Sequence, residues 1–420
     1  MHDDPVSAAE ADAADPLAAF RDRFALPDGV VYLDGNSLGP LPHGVAERVA
    51  DVVTRQWGES LIRGWNDHGW VDLPGRVGDR IARLIGAPAG SVVCTDSTSV
   101  NVAKALSAAL ALRPDRRIVV SDRGNFPTDL YVAQGLIAAL GGRHELRVVD
   151  PTDVADVLTG PDAGDVAALL LTHVDYRTGR VHDMAGLTAA AHQAGALAVW
   201  DLAHSAGAVE LDLDGCDVDL AVGCSYKYLN GGPGAPAFIH VHARHADVAE
   251  PLLAGWFGHA APFDFDLAYR PTSGVGRFRV GTPPVLAMSA LDAALAVWDD
   301  VDAVGGMAAV RAKSVALTER FIAGVEARCA GHDLRLVSPR DPAARGSQVS
   351  LAHPEGYAVV QALIADGVIG DFRAPDVMRF GFAPLYLRHA DVDAAVEALG
   401  TVLDERRWDT PAFRRRAAVT

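Results

Sequence analysis

A chain of 420 residues, half of them hydrophobic, is long enough for two to three domains and more than one core. Its net charge of -17 excludes a basic footprint for nucleic acid, and no apolar run approaches the ~18 residues of a membrane span. The acidic, alanine-rich start lacks the basic residues and apolar block of a secretory signal, so the expected compartment is the cytoplasm, with no membrane and no nucleic-acid partner.

The first 45 or so residues carry turn chemistry, with Asp34, Gly35, Asn36, Gly39, Pro40 and Pro42 close together, and little material for a core. From about Gly75 to Gly234 short β-rich runs alternate with helical patterns, the signature of a mainly parallel sheet covered on both faces. Strands are expected at 92–95, 117–121, 167–172, 197–201, 220–224 and 237–241. Helices are expected at 100–112, 130–140 and 184–194, with Gly141 and Gly195 as stops. After Pro283-Pro284 the pattern changes to long amphipathic helices at 285–298 and 304–329, followed by short strands at 348–351, 368–371 and 378–381. The chain thus divides into an N-terminal segment, 1–48, packing with the small domain, a large domain, 49–284, and a small C-terminal α+β domain, 285–420.

In an open α/β sheet, ligands bind beyond the carboxyl ends of the strands, and four polar clusters follow expected strands there. Asp96-Ser97-Thr98-Ser99 precedes a helix, where free N–H groups and the helix dipole favour a phosphate; an ordinary N-cap fits as well. Gly124-Asn125-Phe126-Pro127-Thr128-Asp129 offers an aromatic ring and a carboxylate three residues on, suited to the face and edge of a planar ring, or simply to a turn. Asp201-Leu202-Ala203-His204 ends the strand LAVW; a carboxylate buried there needs a cation such as a protonated pyridine nitrogen, although a helix cap and a core histidine are the plain alternatives. Ser225-Tyr226-Lys227-Tyr228 places a lysine among aromatics at a strand end, a plausible Schiff-base amine. Together the four satisfy the phosphate, ring face, ring nitrogen and aldehyde of one cofactor.

Only three lysines occur, and Lys104 and Lys313, inside helical patterns, are expected to be solvated or snorkelling. The four cysteines show no CxxC pair and read as reduced thiols. Among rival functions, a cysteine desulfurase needs an activated thiol on a mobile loop, whereas Cys329 ends a helical stretch. A metal hydrolase is prompted by His240, His242 and His245, but no carboxylate follows with ligand spacing, so no metal is expected. A cofactor-binding regulator lacks a helix-turn-helix candidate, and a dinucleotide site lacks a GxGxxG.

The runs DLAHSAG and CSYKYLNGGPG resemble the kynureninases, within the type I, aspartate-aminotransferase-like fold of pyridoxal-phosphate enzymes. The resemblance extends through LDGNSLGP, CTDSTSVN, GNFPTD, THVDYRTG, GWFGH at 255–259, RFRVGTPP and RFGFAPLY. It implies pyridoxal 5'-phosphate as cofactor, with Thr98 and Ser99 on the phosphate, Phe126 on the ring, and Asp129 and Thr172 as further polar contacts. It likewise implies Asp201 at the pyridinium, His204 beside it, Tyr226 linked to the phosphate and Lys227 as the covalent attachment. Trp256 and Thr282 match positions that reach the site from a partner subunit, implying a homodimer with shared active sites. Arg379 matches the arginine for the substrate α-carboxylate, though a surface arginine near a strand end is open on sequence alone; Asn36 and Ser37 match a substrate-side loop. The implied reaction is hydrolysis of L-kynurenine to anthranilate and L-alanine in tryptophan metabolism, with a desulfurase-like enzyme or another lyase or aminotransferase on the same scaffold as the alternative. Trp65 and Thr282 stand where animal enzymes preferring 3-hydroxykynurenine carry histidine and asparagine, which implies a preference for the unhydroxylated substrate.

Overall fold

The computed structural model describes residues 6–416. Seven strands form the main sheet: β1 (Val92–Cys94), β2 (Ile118–Asp122), β3 (Glu145–Val149), β4 (Val166–Thr172), β5 (Leu197–Asp201), β6 (Leu220–Gly223) and β7 (Phe238–Val241). They lie in the order β1-β7-β6-β5-β4-β2-β3, with β7 alone antiparallel to its neighbours. The central strands are apolar on both faces because helices cover both. Along β4, Leu169 and Leu171 enter one core while Ala168 and Leu170 enter the other; along β5, Ala198 and Trp200 oppose Leu197 and Val199. Strand β3 lies outside the expected set. It sits at the sheet edge with its residues exposed or half-buried, so it lacks the apolar run that marks its neighbours.

Six helices matter for the site: α1 (Leu73–Leu84), α2 (Thr98–Leu112), α3 (Pro127–Ala139), α4 (Met184–Ala194), α5 (Val285–Ala294) and α6 (Gly306–Arg328). Gly195 stops α4 in the left-handed region at φ 77°, a conformation that glycine adopts without strain. The helix expected over 285–298 is interrupted at Leu295, and Ala296–Asp299 forms a separate turn. Arg80 and Arg83 of α1 donate to the Asp292 and Trp298 carbonyls on either side of the break.

The C-terminal part carries a four-stranded antiparallel sheet of Asp371–Arg373, Val377–Gly381, Gln348–Ala352 and Arg335–Leu336, in that order. The single strand expected at 368–371 is two, because its halves have different partners. Val368–Ile369 pairs with Val31–Tyr32 of the N-terminal segment, and Asp371–Arg373 pairs with Val377–Gly381.

Two expectations fail through long-range contact. The first 45 residues do carry core: Leu17, Phe20, Phe24 and Leu33 are buried in the cluster shared with Phe321, Phe380 and Tyr386. Lys104 and Lys313 are buried rather than solvated, each facing a carboxylate from another segment, Asp96 at 2.7 Å and Asp15 at 2.6 Å. Among the described residues no helix is long and apolar enough to cross a membrane.

Candidate active site

The register of the sheet decides which side chains meet. Thr172 pairs with Asp201 and Asp201 with Val222, so the segments leaving β4, β5 and β6 diverge from one line at their carboxyl ends. Asp201 closes β5 with 2% of its surface exposed, and its Oδ1 accepts the Ala203 N–H at 2.7 Å. Facing it is Asp129, from the first turn of α3. Burial first, then the charge of Asp201, push the Asp129 carboxyl well above its ordinary value. Asp201 is also raised by burial, but the Ala203 N–H pulls the other way. Of the two, Asp129 is raised the further, so a proton held by the pair favours Asp129 and the charge favours Asp201.

Lys227 follows β6, and its Nζ lies 2.8 Å from His204 Nε2. Burial pulls the amine below its ordinary range. Burial and then the Lys227 charge pull His204 much lower, so the imidazole is neutral and accepts from the amine. The loop is braced from the N-terminal segment, where the Gly39 N–H donates to the Tyr226 carbonyl at 2.8 Å. A Cβ at Gly39 would strike the Lys227 carbonyl oxygen, so only glycine allows this approach. The half-buried Tyr226 ring is centred 5.8 Å from Lys227 Nζ, and the Cys224 sulfur together with burial pushes its phenol ionisation up.

At the other end of the site, β1 turns into α2 through Asp96, whose backbone is left-handed at φ 49°. Ser97 then caps the helix by accepting the Val100 N–H at 3.4 Å. The helix begins at Thr98, two residues before the expected start, so Thr98 and Ser99 occupy the first turn, where N–H groups lack helical partners. Thr98 Oγ1, Asp129 Oδ2 and His204 Nδ1 are all buried without a hydrogen-bond partner. Buried polar atoms are rarely left so, and these three stand where a phosphate and a polar heteroaromatic ring would satisfy them. The residues present fit such a cofactor.

Phe126 caps α3 and stays 40% exposed, its ring meeting Tyr176 edge-on with centroids 5.1 Å apart. Asn125 fixes this loop: its amide donates to Ser121 Oγ at 2.9 Å, and its carbonyl accepts the Thr172 hydroxyl. The Tyr176 carbonyl accepts Arg379 Nη1 at 2.5 Å, tying the aromatic loop to Val377–Gly381. Arg379, 1% exposed, is no surface residue. Its Nε donates to Asp371 Oδ1 at 2.8 Å, and its Nη2 reaches Asp371 Oδ2 and Ser37 Oγ, the latter at 2.8 Å. Burial would raise Asp371, but the Arg379 guanidinium outweighs it and holds the carboxyl low. Asn36 is fully buried with its amide oxygen and nitrogen both unpartnered, packed so closely that Gly381 has no room for a Cβ.

Trp65 and Trp256 belong to a separate aromatic cluster, and Thr282 lies apart from it. Trp65 packs on Trp70 and on Phe257, with centroids 5.7 and 5.8 Å away, and Phe257 meets Trp256 at 4.4 Å. Thr282 is exposed and lines a cavity of about 190 Å³ with Asp96, Arg279 and Pro236. None of the three shares a hydrogen bond or ring contact with Lys227, Phe126 or Arg379 among the described residues. Asn125, Tyr176, Asp34, Asp371 and Lys104 were not singled out by sequence as site residues. Tyr176 and Asp371 fall beside positions that were, THVDYRTG and the strand before Arg379, but only the fold shows that they bridge them.

The histidine run does not gather into a metal site. His240 Nδ1 bonds Ser91 Oγ at 3.0 Å, His245 Nε2 lies 2.7 Å from Asp219, and no group able to hold a metal occurs among the described residues. Cys329 is buried, and desolvation pushes its thiol up to about 11, the opposite of an activated nucleophile.

Residues 310–399 match the family model described as the kynureninase C-terminal domain. Over 414 residues the chain is 54% identical to the kynureninase of Burkholderia pseudomallei, covering 97% of this chain and 98% of that one. It is 50% identical to the kynureninase of Pseudomonas fluorescens over the same shares. A cysteine desulfurase from Thermococcus onnurineus shares the architecture, with a TM-score of 0.75 over 92% of this chain and 98% of that one; at 18% identity this is a likeness of fold, and it bears out the expected type I class. With identity above one half along nearly its whole length, the chain belongs to the kynureninase family.

Proposed function

We propose that the chain is a hydrolase that uses pyridoxal 5'-phosphate to cleave the Cβ–Cγ bond of L-kynurenine, giving anthranilate and L-alanine. The observation that carries this reading is an amine at a strand end, lowered by burial and 2.8 Å from an imidazole, in a site that also holds two buried carboxyls facing each other. When bound, the cofactor supplies a sink for the electrons released at the substrate's carbon atoms.

The chain's own residues divide the work. Thr98 and Ser99 would hold the phosphate, Phe126 would serve the ring face, and Asp129 and Thr172 its polar edge. Asp201 would offer its carboxylate to the ring nitrogen, and Lys227 would be the covalent attachment. The Lys227 amine would take the α-proton, since burial favours its neutral form, and His204 orients it. Arg379 receives the α-carboxylate, its plane fixed by Asp371, while Asn36 and Ser37 line the same end. Tyr226, with its ionisation suppressed, retains a proton to give. One water is consumed: its hydroxyl goes to the aryl carbonyl carbon, which departs in anthranilate, and the three-carbon fragment is protonated to alanine.

Trp65 and Thr282 stand in place of the histidine and asparagine that the resemblance associates with a preference for the ring hydroxyl, so L-kynurenine is favoured and 3-hydroxykynurenine is the poorer substrate. The exposed Trp256 and Thr282 complete the site of a second copy in a homodimer. The enzyme acts in the cytoplasm, in tryptophan breakdown through kynurenine. Purified protein should release anthranilate fluorescence from L-kynurenine, and Lys227→Ala should lose both the visible band of the bound cofactor and turnover by on the order of 10^4-fold. Full turnover in that variant would end this reading.

A further inference from the structure

Lys104 is one of the two lysines that the reaction does not use, and it is buried where a charge is expensive. Its side chain has no exposed surface, on the inner side of α2 two turns below Thr98. Nζ donates to Asp96 Oδ2 at 2.7 Å and to the Phe278 carbonyl at 2.7 Å. Burial pulls the amine down and Asp96 pushes it back up. Asp96 itself sits at the left-handed residue of the turn before Ser97, Thr98 and Ser99, and its carboxylate also accepts the Thr95 hydroxyl at 2.9 Å. A carboxylate so near the free N–H groups of the first turn would repel a phosphate dianion unless a cation lay against it. Phe278 is fully buried, and the irregular stretch that follows it contains Arg279 and Thr282, which share a small cavity with Asp96.

We propose that Lys104 is a positioning residue for the cofactor phosphate: it neutralises Asp96 beneath the phosphate-binding turn and anchors that turn to the segment running to Thr282. This rests on the reading of Thr98 and Ser99 as the phosphate cradle. Lys104 touches no cofactor atom; it acts by cancelling a charge that would oppose the phosphate.

The test compares the equilibrium affinity of the apo chain for pyridoxal phosphate with that for unphosphorylated pyridoxal, by quenching of tryptophan fluorescence. In Lys104→Met the stranded carboxylate should weaken pyridoxal phosphate on the order of 10-fold or more while leaving pyridoxal within about two-fold. Adding Asp96→Asn should return the phosphate preference to near wild type, which a purely structural role for Lys104 would not do. Should Lys104→Met fail to fold, Asp96→Asn alone strands no carboxylate and should raise the phosphate preference above wild type by about three-fold or more. Equal weakening of both ligands in Lys104→Met, no rescue in the double variant, or an unchanged preference in Asp96→Asn would overturn the proposal. A wild-type chain without any preference for the phosphorylated ligand would overturn the cradle itself, and the proposal with it.

Discussion

Asp129 and Asp201 lie in one buried site yet do different things, because only one of them has a backbone N–H to stabilise its charge. Asp129 is the carboxyl raised the further and so the one that favours its proton, which suits it to donate, whereas Asp201 is the one better suited to carry the charge. Asparagine copies a protonated carboxyl and not a charged one. Asp129→Asn should therefore retain kcat/KM for L-kynurenine within about 10-fold, while Asp201→Asn should lose on the order of 10^3-fold. Equal losses in steady-state kinetics would contradict the assignment of charge within the pair. The participation of both carboxyls was legible in the sequence, since each follows an expected strand. Which of them holds the proton was not, because it depends on the Ala203 N–H and on their mutual approach across two strand ends.

Between elements, the N-terminal segment is joined to the C-terminal sheet by a titrating contact. Asp34 lies beside Asp371, and burial, then the Asp371 charge, raise its carboxyl from an ordinary 3.8 to about 7. The folded chain thus binds a proton that the unfolded chain gives up near pH 4. This contribution to stability is complete below about pH 4 and is lost as pH rises through about 7. Asp34→Asn removes the ionisation, so its stability relative to wild type should improve as pH rises from about 4 to about 7 and level off above that, as read from urea midpoints. A difference independent of pH over that range would show that Asp34 does not titrate there. The same docking explains where the sequence misled. Leu17, Phe20 and Phe24 look too sparse for a core until they meet Phe321 and Tyr386, hundreds of residues away. Strand β3 and the split at Gly370 were hidden for related reasons, an edge position with few buried side chains and two partners for one apolar run. The inner strands, buried on both faces, were legible to within a residue or two.

For the molecule as a whole, the half-buried Trp65 and the exposed Trp256 share no ring contact or hydrogen bond with Lys227 among the described residues, and a homodimer would let Trp256 serve the neighbouring copy's site. The sequence pointed to these residues through resemblance, and nothing in spacing or periodicity locates a partner. Subunit mixing tests the arrangement. If Trp256 serves the neighbouring site, a random mixture of Lys227→Ala and Trp256→Ala subunits contains heterodimers with one intact site, and activity should recover to about a quarter of wild type. A mixture no more active than its parents would place Trp256 in its own subunit's site.

Of the three lysines available, one particular amine, that of Lys227, would carry the cofactor. Borohydride reduction of the purified holoenzyme followed by peptide mapping measures this directly. The mass of the reduced cofactor should appear only on the peptide containing Lys227. A label on Lys104 or Lys313, or none on any lysine, would contradict the account.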